Sequence, residues 1–215
     1  MTLRKLAFPM LLLALAGCSR KGEIDVSGAG AGITAIRTAC PTVAVPAATG
    51  DITLFNPATS RDASAIDVVA VLTNVRSTCD DSSEQIQTTI NFDVQARRTD
   101  TAAARDVTLP YFVAVVRGGS AVTAKRIGNV ALHFDAGQAR AQTSGQANAT
   151  VDRAAATLPQ DVRDILTRKR KAGKEDAATD PLSDPQVRQA VLKASFEALV
   201  GFQLTEGQLK YNATR

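Results

Sequence analysis

The stretch Gln85–Arg97 (QIQTTINFDVQAR) decides the fold class, because its side chains alternate in polarity. The apolar and small side chains, from Ile86 to Ala96, occupy the even-numbered positions, and polar side chains occupy the odd-numbered positions. A period of two residues is typical of a β-strand with one face buried and the other in water. We therefore predict a long strand here and a mainly β protein around it.

Stretches of similar character lie on both sides of this strand. Ile66–Arg76 and Val107–Val116 are more continuously apolar and β-branched, which predicts strands in the interior of a sheet. The Gly118-Gly119 pair after the second of them indicates a hairpin. The remaining predicted strands are Ile52–Phe55, Ala121–Phe134, Ala141–Val151 and Phe196–Leu204. This strand density predicts an antiparallel, immunoglobulin-like β-sandwich with one or two short C-terminal helices.

The stretch 159–184 interrupts the period of two and is predicted to be a helical appendage with a basic part followed by an acidic part. Pro159 is suited to the start of its helix. A second helix is predicted over Gln186–Ala194, followed by a strand that begins at Phe196. A single continuous helix through Leu199 is the alternative.

A run of five basic residues within this appendage is the best candidate for binding an anionic surface. Such a surface would be lipid headgroups, lipopolysaccharide phosphates or an acidic protein, each attracted by clustered positive charge. The acidic residues that follow favour the alternative that the run is an ordinary solvated face. The residues of the run are Arg168, Lys169, Arg170, Lys171 and Lys174.

The N-terminus has the three-part pattern of an export signal. Arg4 and Lys5 are followed by the apolar run Leu6–Leu15, which is too short to cross a bilayer's hydrocarbon core. The tetrapeptide Leu15-Ala16-Gly17-Cys18 resembles the bacterial lipobox. The resemblance implies that residues 1–17 are removed as a signal peptide and that Cys18 carries the lipid, palmitate among its acyl chains.

The glycine-rich residues 18–32 are predicted to be a flexible tether, and residues 33–215 the β-sandwich domain. In the sorting scheme known for enteric bacteria, Asp after the lipidated cysteine retains a lipoprotein at the inner membrane. Ser19 stands there instead. We therefore expect a lipid anchor in the outer membrane, with the domain facing the periplasm.

The two remaining cysteines, Cys40 and Cys79, are predicted to form a disulfide, because an exported chain reaches an oxidising compartment. A redox-active or metal-binding pair is the alternative. The spacing of the two cysteines does not resemble Cys-x-x-Cys, and His133 is the sole histidine of the chain.

No catalytic residue, metal ligand or cofactor is predicted. The strand pattern places His133 on a solvent face, and Asp80, Asp81 and Glu84 lack the spacing of a calcium loop, which favours a solvated turn. Arg97-Arg98, with Arg105 and Asp106, flanks a Thr/Ala loop, which is predicted to be an exposed loop with ordinary charges. The formal charge of +4 falls to about +2 when Arg4 and Lys5 leave with the signal, too little to hold nucleic acid.

Four short motifs resemble a group of uncharacterised lipoproteins from Gram-negative proteobacteria, over most of residues 38–213. The group brings no assigned activity or binding residues. The motifs are Cys40-Pro41, Arg76-Ser77-x-Cys79, Pro110-Tyr111-Phe112 and Gly201-Phe202-Gln203-Leu204-Thr205.

The function expected from the sequence is that of a non-enzymatic cell-envelope lipoprotein. It would act as a binding or assembly module at the periplasmic face of the outer membrane, with the membrane and an envelope protein as partners. The alternative is a carrier or sensor of a small apolar or lipid ligand held between the sheets, and a hydrolase ranks third. An exposed apolar or strand-edge patch on a packed domain favours the module, whereas a large internal cavity favours the carrier.

Overall fold

A computed structural model describes residues 38–168, 173 and 179–214 of the chain. Apart from Gly173, these residues belong to one unit. Its strands are β1 Thr42–Ala44, β2 Asp51–Phe55, β3 Ile66–Asp80, β4 Gln85–Arg98, β5 Arg105–Arg117, β6 Ala121–Phe134, β7 Arg140–Asp152 and β8 Phe196–Phe202. Its α-helices are α1 Arg153–Ala156, α2 Gln160–Thr167, α3 Pro185–Lys193 and α4 Glu206–Thr214, with 3₁₀ turns at Ala63–Ala65 and Pro181–Ser183.

The strands form two four-stranded sheets. The first has the order β1-β8-β5-β6 and the second the order β2-β3-β4-β7. The two continuously apolar stretches of the sequence lie in β3 and β5, and both strands are inside their sheets, as predicted. The prediction of a wholly antiparallel arrangement is wrong at one edge, because β1 pairs with β8 in parallel.

The alternation in β4 places its even-numbered side chains in the core, as the sequence predicts. Ile86, Ile90 and Phe92 have no exposed surface, and they share one cluster with Phe134 and Phe202 of the first sheet. The two sheets are therefore held together by a common apolar core. Each fully buried large side chain contributes roughly 1.5–3 kcal/mol to this association.

The strand register defines two ends of the domain. At the helical end lie the turns at residues 81–84 and 118–120, α1 to α3, and the start of β1. At the loop end lie the loops 99–104 and 135–139, which connect strands of the two sheets. The chain enters the described domain at Thr38, close to the helical end.

Helices α2 and α3 pack on each other through a small cluster separate from the main core. Val162 of α2 is buried against Val187 and Val191 of α3. The Asp184 carboxylate accepts a hydrogen bond from the backbone N–H of Gln186 at 2.7 Å and caps α3. The helix ends before β8, so the predicted helix followed by a strand is correct and the continuous helix is wrong.

Helix α4 is fixed at its start and near its end. Thr205 and Gln208 form a reciprocal cap, in which the Gln208 side chain accepts from Thr205 N at 2.9 Å and Thr205 Oγ1 accepts from Gln208 N. Tyr211 then packs edge-on against Phe55 of β2, with 5.1 Å between ring centroids. The C-terminal helix therefore covers the β2 edge of the second sheet.

Candidate interaction surface

The site residues predicted from the sequence fall in different parts of the chain. The lipidation residue Cys18 and the basic residues Lys169, Arg170, Lys171 and Lys174 lie outside the described residues. Arg168 is described: it is exposed and directly follows α2. Binding of an anionic surface by this run stays a prediction.

Cys40 and Cys79 form a disulfide with 6.1 Å between their Cα atoms, in agreement with the sequence analysis. Cys40 lies just before β1 at the edge of the first sheet, and Cys79 lies near the end of β3 in the second sheet. The disulfide therefore links the two sheets covalently at the helical end.

A β-bulge in β3 places Cys79 on the side where Cys40 lies. The register advances between Thr73 and Arg76, and Asn74 has the positive φ of 52°. The even-numbered side chains of β3 point into the core before the bulge, and the odd-numbered ones take that face after it. Without the extra residue, Cys79 would point to the opposite face of the sheet.

The side chain of Asn74 also fastens the bulge to the neighbouring strand. Its amide donates to Asp93 Oδ2 at 2.6 Å, and Ser144 Oγ of β7 donates to Asp93 Oδ1 at 2.9 Å. These two hydrogen bonds stabilise the carboxylate and lower the pKa of Asp93 below its ordinary value. A polar bridge across β3, β4 and β7 results.

Arg98 is a buried cation that closes the loop end. Its side chain is on the core face and the residue is 3% exposed. The guanidinium donates to the backbone carbonyls of Gln138, Ala103 and Asp135 at 2.9, 2.6 and 2.8 Å. It also lies 5.1 Å from the centroid of the Phe134 ring. One side chain thus holds both loops of this end.

The prediction of ordinary exposed charges in this segment is therefore wrong for Arg98. It is also incomplete for Arg105, whose guanidinium binds both carboxylate oxygens of Asp67 at 2.8 and 2.7 Å. Arg97 and Asp106 are exposed, as predicted.

His133 lies on the solvent face of β6 between two carboxylates. Its Nδ1 is 2.6 Å from Asp106 Oδ1, and its Nε2 is 3.4 Å from Asp135 Oδ1. The hydrogen bond and charge of Asp106 raise the pKa of His133 above its ordinary value of 6.5, with a smaller contribution from Asp135. The arrangement resembles a surface ion pair.

We expect Asp106→Asn to lower the pKa of His133 towards 6.5, because the substitution removes the main group that stabilises the imidazolium. A ring-proton NMR titration of the folded protein measures this, and Asp135→Asn should have the smaller effect. Since the folded pKa is raised, the pair stabilises the fold fully below about pH 6.5, and this contribution is lost as the pH rises through the folded pKa. An unchanged pKa in Asp106→Asn would show that the contact is absent in solution.

The free edge of β6 is the most accessible apolar surface among the described strands. Residues 121–127 are exposed on both faces, and within the described chain β6 pairs with β5 alone. Val122 and Ile127 are each 63% exposed. An exposed strand edge presents unpaired N–H and C=O groups to which another strand can add.

The described residues contain no group of three or more side chains able to hold a metal ion. None of the helices described is long and apolar enough to cross a membrane. The chain matches no protein-family model, no curated protein and no solved structure.

Proposed function

We propose that this chain is a non-enzymatic cell-envelope lipoprotein whose immunoglobulin-like β-sandwich is a binding or assembly module. Cys18 carries the lipid, residues 18–32 form the tether, and the domain works at the periplasmic face of the outer membrane. The helical region at 159–184 is its peripheral appendage. The resemblance of the motifs to proteobacterial lipoproteins supports the same proposal.

The observation that carries the proposal is the free edge of β6. Strand β7 also ends its sheet, but its outward-facing side chains at 142–150 are uncharged and polar. The edge of β6 instead combines unpaired backbone groups with Val122 and Ile127. An extended segment of a partner can gain main-chain hydrogen bonds and bury both side chains there.

Packing of the core favours the module over a carrier of an apolar ligand. The Phe92 ring occupies the space beside Gly145, where an added methyl group would overlap it. The Tyr111 ring fills the space beside Gly128 in the same way. At these two inner positions the space between the sheets is therefore filled by aromatic side chains of the protein and is not open to a ligand.

The charge of the edge favours an acidic partner segment. Lys125 and Arg126 lie next to each other between the two apolar residues, and residues 121–134 contain no acidic side chain. Pairing of this edge with a second copy would bring four positive charges together. We therefore assign the edge to an extended segment of another envelope protein with carboxylates opposite these two residues.

A photoreactive amino acid placed at Ile127 in growing cells should crosslink to one discrete partner protein. The control is the same amino acid at Gln87, which is exposed but lies in the interior strand β4. Lys125→Glu with Arg126→Glu should reduce the Ile127 crosslink about tenfold or more, because the charges then repel the partner. Arg163→Glu with Arg188→Glu, at exposed positions of α2 and α3, reverses the same number of charges elsewhere and should leave the crosslink unchanged.

Equal crosslinking at Ile127 and Gln87 would contradict the assignment. So would an Ile127 crosslink whose yield is the same in the Lys125→Glu, Arg126→Glu variant as in the wild type. A crosslink to a second copy of the chain would contradict the acidic partner specifically.

A further inference from the structure

A shallow groove of about 580 Å³ lies on the outer face of the second sheet, near the loop end. The groove runs across three neighbouring strands, β3, β4 and β7, and is lined by side chains from each. The side chains involved are Val69, Val71, Gln95, Arg97, Arg140 and Gln142. This groove is on a different sheet from the β6 edge.

Two arginines face each other across this groove. Arg97 of β4 and Arg140 of β7 are direct cross-strand partners, and both are exposed. Side chains in such positions lie about 5 Å apart at their Cβ atoms, and like charges placed there destabilise the pair. Within the described residues, neither arginine has a salt bridge.

The nearby carboxylates on this face are already engaged. Asp67, diagonal to Arg97 on β3, is held by the two terminal guanidinium nitrogens of Arg105. Asp93, four residues before Arg97 on β4, accepts from Asn74 and Ser144. The positive charge of the arginine pair is therefore not neutralised by the sheet around it.

We propose that Arg97 and Arg140 form a binding site for a phosphate monoester on a small apolar group. A phosphate dianion carries the charge that neutralises two guanidinium groups, and each guanidinium can donate two parallel hydrogen bonds to its oxygens. The next cross-strand pair, Gln95 and Gln142, supplies amide donors beside it. Val69 and Val71 give an apolar floor for the attached group.

The position of the groove favours a soluble ester over a lipid headgroup. The chain enters the domain at the helical end, whereas the groove lies near the loop end. Strand β4 has 14 residues, so the two ends are about 45 Å apart at roughly 3.4 Å per residue. The groove therefore lies away from the end to which an N-terminal anchor is joined.

The test is a titration of the protein with phenyl phosphate, followed by the backbone amide NMR signals of residues 95–97 and 140–142. We expect saturable shifts at these residues and a Kd raised about tenfold by Arg97→Gln or by Arg140→Gln. Arg188→Gln, which removes the same charge elsewhere, should leave the Kd unchanged. Val71→Ser should weaken the binding of phenyl phosphate, because it removes apolar contact with the phenyl group, but should not weaken the binding of inorganic phosphate.

Absence of saturable shifts, or an equal loss in Arg188→Gln, would overturn the site. If the protein bound vesicles containing phosphatidic acid in an Arg97-dependent way but did not bind phenyl phosphate, the proposal that the ligand is a soluble ester would be wrong.

Discussion

Replacement of Cys40 or Cys79 by Ala should lower the melting temperature of the domain by about 8–16 °C. The disulfide joins residues 39 apart in sequence, and the chain-entropy estimate for such a loop is about 4 kcal/mol. A domain of this size loses about 2–4 °C per kcal/mol. The structure gives a second reason: β1 has three residues, and the disulfide fixes the segment that leads into it.

The measurement is thermal unfolding of purified residues 19–215, followed by circular dichroism. The wild-type protein with reductant should unfold at the temperature of the Cys40→Ala, Cys79→Ala double variant. The oxidised protein should show no free thiol after denaturation. Two titratable thiols in protein isolated from the periplasm would refute the disulfide, whereas a small shift would refute only the estimate of its stability.

Arg98→Met should lower the free energy of unfolding by about 3–5 kcal/mol, the largest effect expected for any charged side chain of the described domain. Met fills much of the same volume but donates no hydrogen bond. Three carbonyls that Arg98 binds at 2.6–2.9 Å would lose a donor in a buried region. The loops 99–104 and 135–139 would then lose their common attachment. A fall of about 10 °C in melting temperature is expected.

The neighbouring Arg97→Met is the matched control, because Arg97 has the same side chain on the solvent face of the same strand. It should change the free energy of unfolding by no more than about 0.5 kcal/mol. Arg98→Lys should fall between the two, since it keeps the charge but not the planar donor geometry. Similar stabilities for Arg98→Met and Arg97→Met would mean that the guanidinium contacts do not hold the loop end together.

Most strands were predictable because burial on one face imposes a period of two. Gln85–Arg97 and Ala121–Phe134 match β4 and β6 to within one residue, and the continuously apolar stretches became interior strands. Strand β1 was missed because a strand of three residues, with only four residues between Pro41 and Pro46, is too short to show a period of two. Its place depends on parallel pairing with β8, far away in the sequence.

The pattern that predicted β4 also contained the signal for Arg98. The even-numbered residues from Ile86 to Ala96 form the buried face of the strand. Arg98 is the next even-numbered residue, so the alternation alone places its side chain in the core. The usual preference of arginine for solvent hid this. The bulge at Asn74 had no such signal, because an inserted residue is defined only against the partner strand.

The two candidate binding surfaces were not predictable for a related reason. Whether β6 ends a sheet depends on the order of strands, and a single sequence does not specify that order. The pairing of Arg97 with Arg140 depends on the register between β4 and β7, which are separated by a whole hairpin of the other sheet. Both surfaces arise from long-range pairing rather than from local pattern.

Lipidation at Cys18 tests the central claim most directly, since the lipid anchor depends on it and the signal that precedes Cys18 also directs the export that brings Cys40 and Cys79 to an oxidising compartment. Wild-type protein in cells should incorporate labelled palmitate and be shortened to begin at Cys18, and globomycin should block that shortening. Cys18→Ala should carry no label and remain an unprocessed precursor that globomycin does not affect. A Cys18→Ala protein that is still labelled and cleaved like the wild type would contradict the account.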